Sequence, residues 1–154
     1  MINPNDNTDM VVWDEKYATG IELIDSQHKE LFSLTNELFR ACMSDDETLK
    51  SVFIETMGRM VEYVRCHFGA EQQILQRINY PDYQEHKKQH DKLIRDILDA
   101  ANAHSKGDRL VANQFVRTMR DWILSHIAFT DRLYVAYIAD QKKKGLLSDK
   151  DING

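Results

Sequence analysis

Two pairs of residues with metal-binding side chains recur in this sequence at a spacing of four. His67 and Glu71 form one pair, and His86 and His90 form the other. A four-residue spacing places both members of a pair on one face of an α-helix. Glu71 continues a stripe of apolar residues, and burying an unpartnered carboxylate costs several kcal/mol. The first pair therefore predicts a counter-charge or a metal ion inside the core.

Two further helical segments carry the same residue types on or beside an apolar face. The resulting set of predicted metal ligands is His28, His67, Glu71, His86, His90, His126 and Asp131. Each histidine alone would more often be a hydrogen-bonded core residue. Together, neutral imidazoles and two carboxylates cannot neutralise one another, but they suit a pair of divalent cations. Structural zinc usually recruits cysteine, so this set favours a dinuclear iron centre.

Counting coordination positions indicates what such a centre could do. Two iron ions with about six ligands each need about twelve positions. Five imidazoles, two bridging carboxylates and one bridging hydroxide fill all of these positions except one. Because the number of histidines is odd, the open position falls on the iron with fewer imidazoles. The set therefore predicts a site for one small diatomic ligand.

Apolar residues at steps of three and four predict four long helices. Their predicted ranges are 22–43, 46–78, 83–105 and 109–143. Short turns and the lack of a strand signal predict an all-α fold, an antiparallel up-down-up-down four-helix bundle. We expect one domain over residues 1–154, with an irregular N-terminal arm (1–20) and a polar C-terminal tail (145–154).

Several residues are expected at helix ends. Ser44 and Glu47 have the spacing of a capping box at the start of the second helix. Gly107 is expected to end the third helix, and Asp108 to cap the fourth. The sixth histidine, His104, is expected at the surface or at a cap.

The spacing between His126 and Asp131 is unusual for two residues that share a site. Five residues on an ideal α-helix separate them by about 140°. The two side chains could reach one site from opposite flanks of the helix, or the helix could widen there into a π-turn. We expect the first arrangement.

Charge, apolar run length and cysteine content argue against several classes of protein. The net charge of −5 does not favour a nucleic-acid or anionic-membrane partner. No apolar run approaches the ~18 residues that span a bilayer, and the polar N-terminus has no signal region. Cys42 and Cys66 are too few for a disulfide framework, so a cytoplasmic location is expected.

The motifs that carry these donors resemble those of the hemerythrin family, specifically stand-alone bacteriohemerythrins, from residue 13 to about residue 137. The matching segments are Ile24-Asp25-Ser26-Gln27-His28, His67-Phe68-Gly69-Ala70-Glu71, His86-Lys87-Lys88-Gln89-His90, and His126-Ile127 through Asp131. The resemblance implies two non-haem iron ions. One would be bound by His86, His90 and His126, and the other by His28 and His67. Glu71, Asp131 and an oxo or hydroxo group would bridge them.

The resemblance also implies roles for residues around the metal ions. Oxygen would bind reversibly at the iron with two histidines. Ile123 and Trp122 would form an apolar cofactor pocket, and Tyr134 would contact a ligand carboxylate. Gln72 is a departure, because relatives often carry a second acidic residue there. We expect it off the metal face, with an effect on local charge only.

Three functions fit these expectations, and the first is favoured. The protein would be a carrier, not an enzyme, that stores, transports or delivers oxygen, with an oxygen-using enzyme as one candidate recipient. The second is a di-iron oxidase, peroxidase or nitric oxide-handling enzyme, although carboxylate-rich sites are more typical of oxygen-activating bundles. The third is an oxygen or iron sensor that acts through a separate partner.

Overall fold

The computed structural model describes residues 9–104 and 108–153, and within these ranges it contains helices and no strands. The elements are a 3₁₀-helix (Glu15–Tyr17), α1 (Glu22–Ala41), α2 (Asp46–Arg77), α3 (Tyr83–His104), α4 (Arg109–Trp122), a π-helix (Ile123–Thr130), α5 (Asp131–Lys143) and α6 (Asp149–Asn153). The π-helix joins α4 to α5, so these three elements form one continuous fourth column. The predicted all-α four-helix bundle is confirmed.

Side-chain hydrogen bonds at the helix N-termini show which residues cap α2 and α4. Asp45, not Ser44, caps α2: its Oδ1 accepts a hydrogen bond from the backbone N–H of Thr48 at 2.7 Å. The hydroxyl of Ser44 instead donates to the carbonyl of Ala41 in the preceding turn. The predicted capping box at Ser44 was therefore wrong by one position. Asp108 caps α4 as predicted, whereas Gly107 lies outside the described residues.

Described parts of the N-terminal arm and of the C-terminal tail pack against the bundle. In the N-terminal arm, Val11 and Asn36 exchange two hydrogen bonds, of 3.0 and 2.8 Å, which fix the arm to α1. In the C-terminal tail, Ile152 of α6 is buried, and its carbonyl accepts from the Arg77 guanidinium at 3.4 Å. The buried Ile152 side chain thus packs this part of the polar tail against the bundle.

The apolar core has two parts, and the candidate ligands lie near the boundary between them. On α2, for example, Val64 and Phe68 belong to the larger part, and Ile74 belongs to the smaller part. Glu71 lies between Phe68 and Ile74, and His67 directly precedes Phe68. None of the helices in the described ranges is long and apolar enough to cross a membrane.

Candidate metal centre

The structure brings together all seven side chains that the sequence predicted as ligands. They come from all four columns of the bundle, and none is more than 2% exposed. The donor atoms of six of them form two overlapping groups, each with its members within 4.8 Å of one another. One group contains Glu71 with His86, His90 and His126, and the other contains Glu71 with His28 and His67. The groups are therefore unequal, with three imidazoles in one and two in the other.

Glu71 lies between the two groups and presents one oxygen to each. Its Oε1 lies 3.2 Å from Nε2 of both His86 and His90. Its Oε2 lies 3.7 Å from Nε2 of both His28 and His67. A carboxylate held in this way can bridge two metal ions.

Asp131 has the same arrangement from the fourth column. Its Oδ1 lies 2.8 Å from Nε2 of His86 and 3.1 Å from Nε2 of His126, and its Oδ2 lies 3.2 Å from Nε2 of His28. Asp131 thus also faces both groups. The two carboxylates approach the centre from α2 and α5, on different columns.

The π-helix explains how His126 and Asp131 face one centre. A π-helix has a wider turn than an α-helix, so a five-residue spacing returns to nearly the same face. The hydrogen bond from the backbone N–H of Asp131 to the carbonyl of His126 is the i to i+5 bond of such a turn. The expectation that the two side chains reach the site from opposite flanks was therefore wrong.

The donor set fits a pair of metal ions. Among the described residues, the buried polar atoms without a hydrogen-bond partner include Nε2 of His28 and His67, Oε1 of Glu71 and Oδ2 of Asp131. Buried polar atoms are usually satisfied, so a group of unsatisfied ones at one point indicates a missing partner. Nitrogen and carboxylate donors without sulfur suit iron.

The pKa shifts of His67 and Asp131 favour the forms that bind metal, whereas the nearby carboxylates raise the pKa of His28 and His86 against the effect of burial. Burial lowers the pKa of His67 to about 3, which keeps its imidazole neutral. Burial alone would raise the pKa of Asp131, but charge interaction and hydrogen bonding with His126 and neighbouring imidazoles hold it well below its usual value. Neutral imidazoles and ionised carboxylates are the metal-binding states of these groups.

The buried His67 leads to a prediction for the metal-free protein. Its folded pKa of about 3 lies below the unfolded value of 6.5, so the unfolded chain binds the extra proton first. This group's contribution to the free energy of unfolding is therefore full above pH 6.5 and falls as the pH drops toward 3. His67→Leu should reduce the slope of the free energy of unfolding against pH in this range, by up to the amount that uptake of one proton contributes. Urea titrations at several pH values measure it, and equal slopes in the two proteins would contradict the prediction.

Side chains that the sequence analysis did not assign to the site hold the imidazoles in place. Three glutamine side chains contact Nδ1 of three histidines: Gln27 contacts His67 at 2.7 Å, Gln89 contacts His126 at 2.7 Å, and Gln72 contacts His90 at 3.1 Å. Such partners orient a ligand and set its tautomer. Gln27 and Gln89 each directly precede a histidine in the sequence, but each contacts a histidine on another helix. The expectation that Gln72 affects local charge only was wrong, because its amide contacts a candidate ligand.

Aromatic rings fix the planes of the same three imidazoles. Phe68 stacks on His90 with ring centroids 3.8 Å apart, and Trp122 stacks on His126 at 4.2 Å. Tyr63 stacks on His67 at 5.4 Å. Trp122 thus lies beside the site, as expected from the resemblance, and Ile123 is fully buried in the adjoining apolar core.

Tyr134 contacts the site as the resemblance implied. Its buried hydroxyl donates to Oε2 of Glu71 at 3.0 Å. Tyr134→Phe should leave a carboxylate oxygen without this donor, at a cost of about 1.5–3 kcal/mol for a hydrogen bond to a charged group. We expect iron affinity to fall about 10–100-fold. Tyr137→Phe, whose hydroxyl contacts the backbone of Ile78 instead, is the matched control in an iron-chelator competition. Equal losses in both variants would contradict the prediction.

His104 lies away from the seven donors. It is 2% exposed and stacks on Phe53 with ring centroids 3.7 Å apart. The expectation of a surface position was therefore wrong. The last turn of α3 packs its imidazole against α2, where it serves as a core residue.

Fold and site together define a class of protein. A four-helix bundle that directs imidazoles and two shared carboxylates from all four columns to a buried centre is a dinuclear non-haem metal protein.

Comparison with known proteins specifies the family. Residues 19–138 match the hemerythrin HHE cation binding domain. The chain is 29% identical to the bacteriohemerythrin of Methylococcus capsulatus, over 77% of this chain and 88% of that protein. It is 30% identical to a hemerythrin-like protein of Naegleria gruberi, over 79% and 88% of the respective chains. The crystal structure of wild-type hemerythrin superposes with a TM-score of 0.71 at 26% identity, covering 82% of this chain and 96% of that one.

This chain belongs to the hemerythrin family. The match confirms the resemblance to this family that the sequence motifs indicated. Family membership, with the buried cluster of imidazoles and carboxylates, supports a di-iron centre and oxygen as its ligand in general.

Proposed function

We propose that this protein binds molecular oxygen reversibly and stores, transports or delivers it. The observation that carries the proposal is the unequal division of the imidazoles, three and two, around two shared carboxylates. The metal ion in the group with two imidazoles would have fewer protein ligands than the other. That ion would have room for one small ligand.

The proposed ligands follow the two groups of donors. His86, His90 and His126 would hold one iron ion, and His28 and His67 would hold the other. Glu71 and Asp131 would serve both ions, since each carboxylate faces both groups. When bound, two ferrous ions would supply two electrons and one open coordination position for oxygen.

The residues around the centre protect it from water. Ile123 and Ile127 are fully buried beside His126, and Leu31 closes the same core from α1. Tyr134 holds Glu71 through its hydroxyl. Buried apolar side chains exclude water from the centre. These features support binding and release of a small apolar molecule.

A carrier is favoured over an enzyme by the composition of the site. Five imidazoles and two carboxylates are richer in nitrogen than the carboxylate-rich centres of oxygen-activating bundles.

The free thiols of Cys42 and Cys66 support a reducing compartment such as the cytoplasm, where an oxygen-using enzyme could be the recipient.

Oxygen titration of the iron-loaded, anaerobically reduced protein tests the proposal. We expect oxygen to bind once per chain, to leave under vacuum, and to bind again over repeated cycles with an unchanged absorption spectrum. Irreversible consumption of oxygen, or turnover of added peroxide, would favour the enzyme instead. Failure to bind oxygen with two iron ions present would refute the carrier.

A further inference from the structure

An apolar groove lies between α2 and α3, away from the candidate metal centre. Its volume is 400 Å³, and its walls include Phe53, Met57 and Val61 of α2. His104, in the last turn of α3, also lines it. At a rise of 1.5 Å per residue, about 21 Å of helix separates His104 from the candidate ligand His90. The groove is therefore a feature of its own.

Gly58 forms part of the groove, and packing does not explain why a glycine stands there. A Cβ atom at this position would meet no atom of a neighbouring element within 4 Å. Glycine is less favourable than alanine in the interior of a helix. The open space beside Gly58 instead allows a flat molecule to lie close to the backbone of α2.

His104 supplies a polar group to the groove. Its side chain is buried, and neither ring nitrogen has a hydrogen-bond partner among the described residues. The ring stacks on Phe53 with centroids 3.7 Å apart, which fixes the plane of the imidazole. Buried polar groups usually have hydrogen-bond partners, so this imidazole indicates a missing one.

The surroundings of His104 restrict what that partner is. A buried water molecule usually makes about three hydrogen bonds, but the other described residues that line the groove have apolar side chains or, in Gly58, none. One imidazole alone is too few ligands for a metal ion. Burial lowers the pKa of His104, so its neutral ring cannot form an ion pair with a carboxylate. A hydroxyl group, which both donates and accepts, matches a neutral imidazole.

We propose that this groove binds a small aromatic molecule with one hydroxyl group, of the phenol class. The aromatic ring lies beside Gly58, between Phe53 and Met57, whose sulfur makes favourable contacts with aromatic rings. The hydroxyl group bonds to His104. A volume of 400 Å³ is in the range of sites for small organic molecules. The proposal depends on neither iron nor oxygen binding, so failure of the carrier function leaves it intact.

Fluorine NMR titrations of the full-length protein test the proposal. The probes are para-fluorophenol, para-fluorotoluene, which lacks the hydroxyl group, and para-fluorobenzoate, which replaces it with a charge. We expect the first two to bind and the third to bind more weakly than para-fluorophenol. Gly58→Leu fills the groove and should abolish binding of both. The matched control is Gly69→Leu, because Gly69 is a glycine of the same helix with equally open surroundings outside the groove.

A second variant tests the hydrogen bond. His104→Phe keeps an aromatic ring against Phe53 but removes both ring nitrogens. It should reduce the preference for para-fluorophenol over para-fluorotoluene about 2–10-fold, the contribution of one hydrogen bond. An unchanged preference would overturn the role of His104, and binding retained in Gly58→Leu would overturn the location. Failure of both aromatic probes to bind the original protein, or tighter binding of para-fluorobenzoate, would overturn the proposed class of ligand.

Discussion

Glu71→Ala is expected to abolish the dinuclear centre, with iron per chain falling from two to below one in protein purified under iron-replete conditions. The reason is that Glu71 presents one oxygen to each group of imidazoles, at 3.2 Å on one side and 3.7 Å on the other. Its loss removes a ligand from both ions at once. Glu71→Gln, which keeps the side-chain volume but not the charge, should show the same loss.

The controls separate loss of a ligand from loss of fold. Glu55→Ala changes an exposed carboxylate on the same helix and should retain two iron ions. His104→Ala removes a buried imidazole that stacks on Phe53, so it should lower the free energy of unfolding while leaving the iron content unchanged. Atomic absorption measures the iron, and circular dichroism confirms that each variant is helical. Two retained iron ions in Glu71→Ala would refute the proposed bridge.

The buried cluster of candidate ligands was predictable because its members break an otherwise regular pattern. A helix stripe that should be apolar contains His67 and Glu71, and burial of such groups is costly without a partner. The four-helix bundle was predictable for the same reason, since periodic apolar residues define the faces that must pack. Both inferences depend on helix periodicity, and the first depends also on the cost of burying polar groups.

Features that depend on side-chain reach were not predictable in the same way. The contact between Gln72 and His90 is an example, because a long flexible side chain can lie along its helix or extend to a neighbour. The π-helix before Asp131 is another, since a five-residue spacing fits both arrangements considered. Only the packing of four columns around one centre decides between them. His104 was misplaced because a histidine near a helix end carries no sign of burial.

Asp131→Ala is expected to lower the iron content as strongly as Glu71→Ala, although the two residues lie on different columns. Its oxygens face His86 and His126 on one side and His28 on the other. Asp140→Ala, which removes an exposed carboxylate of the same helix, α5, should retain both ions.

The double variant of Glu71 and Asp131 distinguishes one shared centre from two separate sites. If each carboxylate served one ion, each single variant would keep one tightly bound iron and the double variant none. If both carboxylates bridge, each single variant already falls below one iron per chain, and the double variant loses little more. Interaction of this kind is expected only for residues that contact the same groups, and both carboxylates contact His28 and His86. Additive losses of one iron per substitution would therefore contradict a shared dinuclear centre.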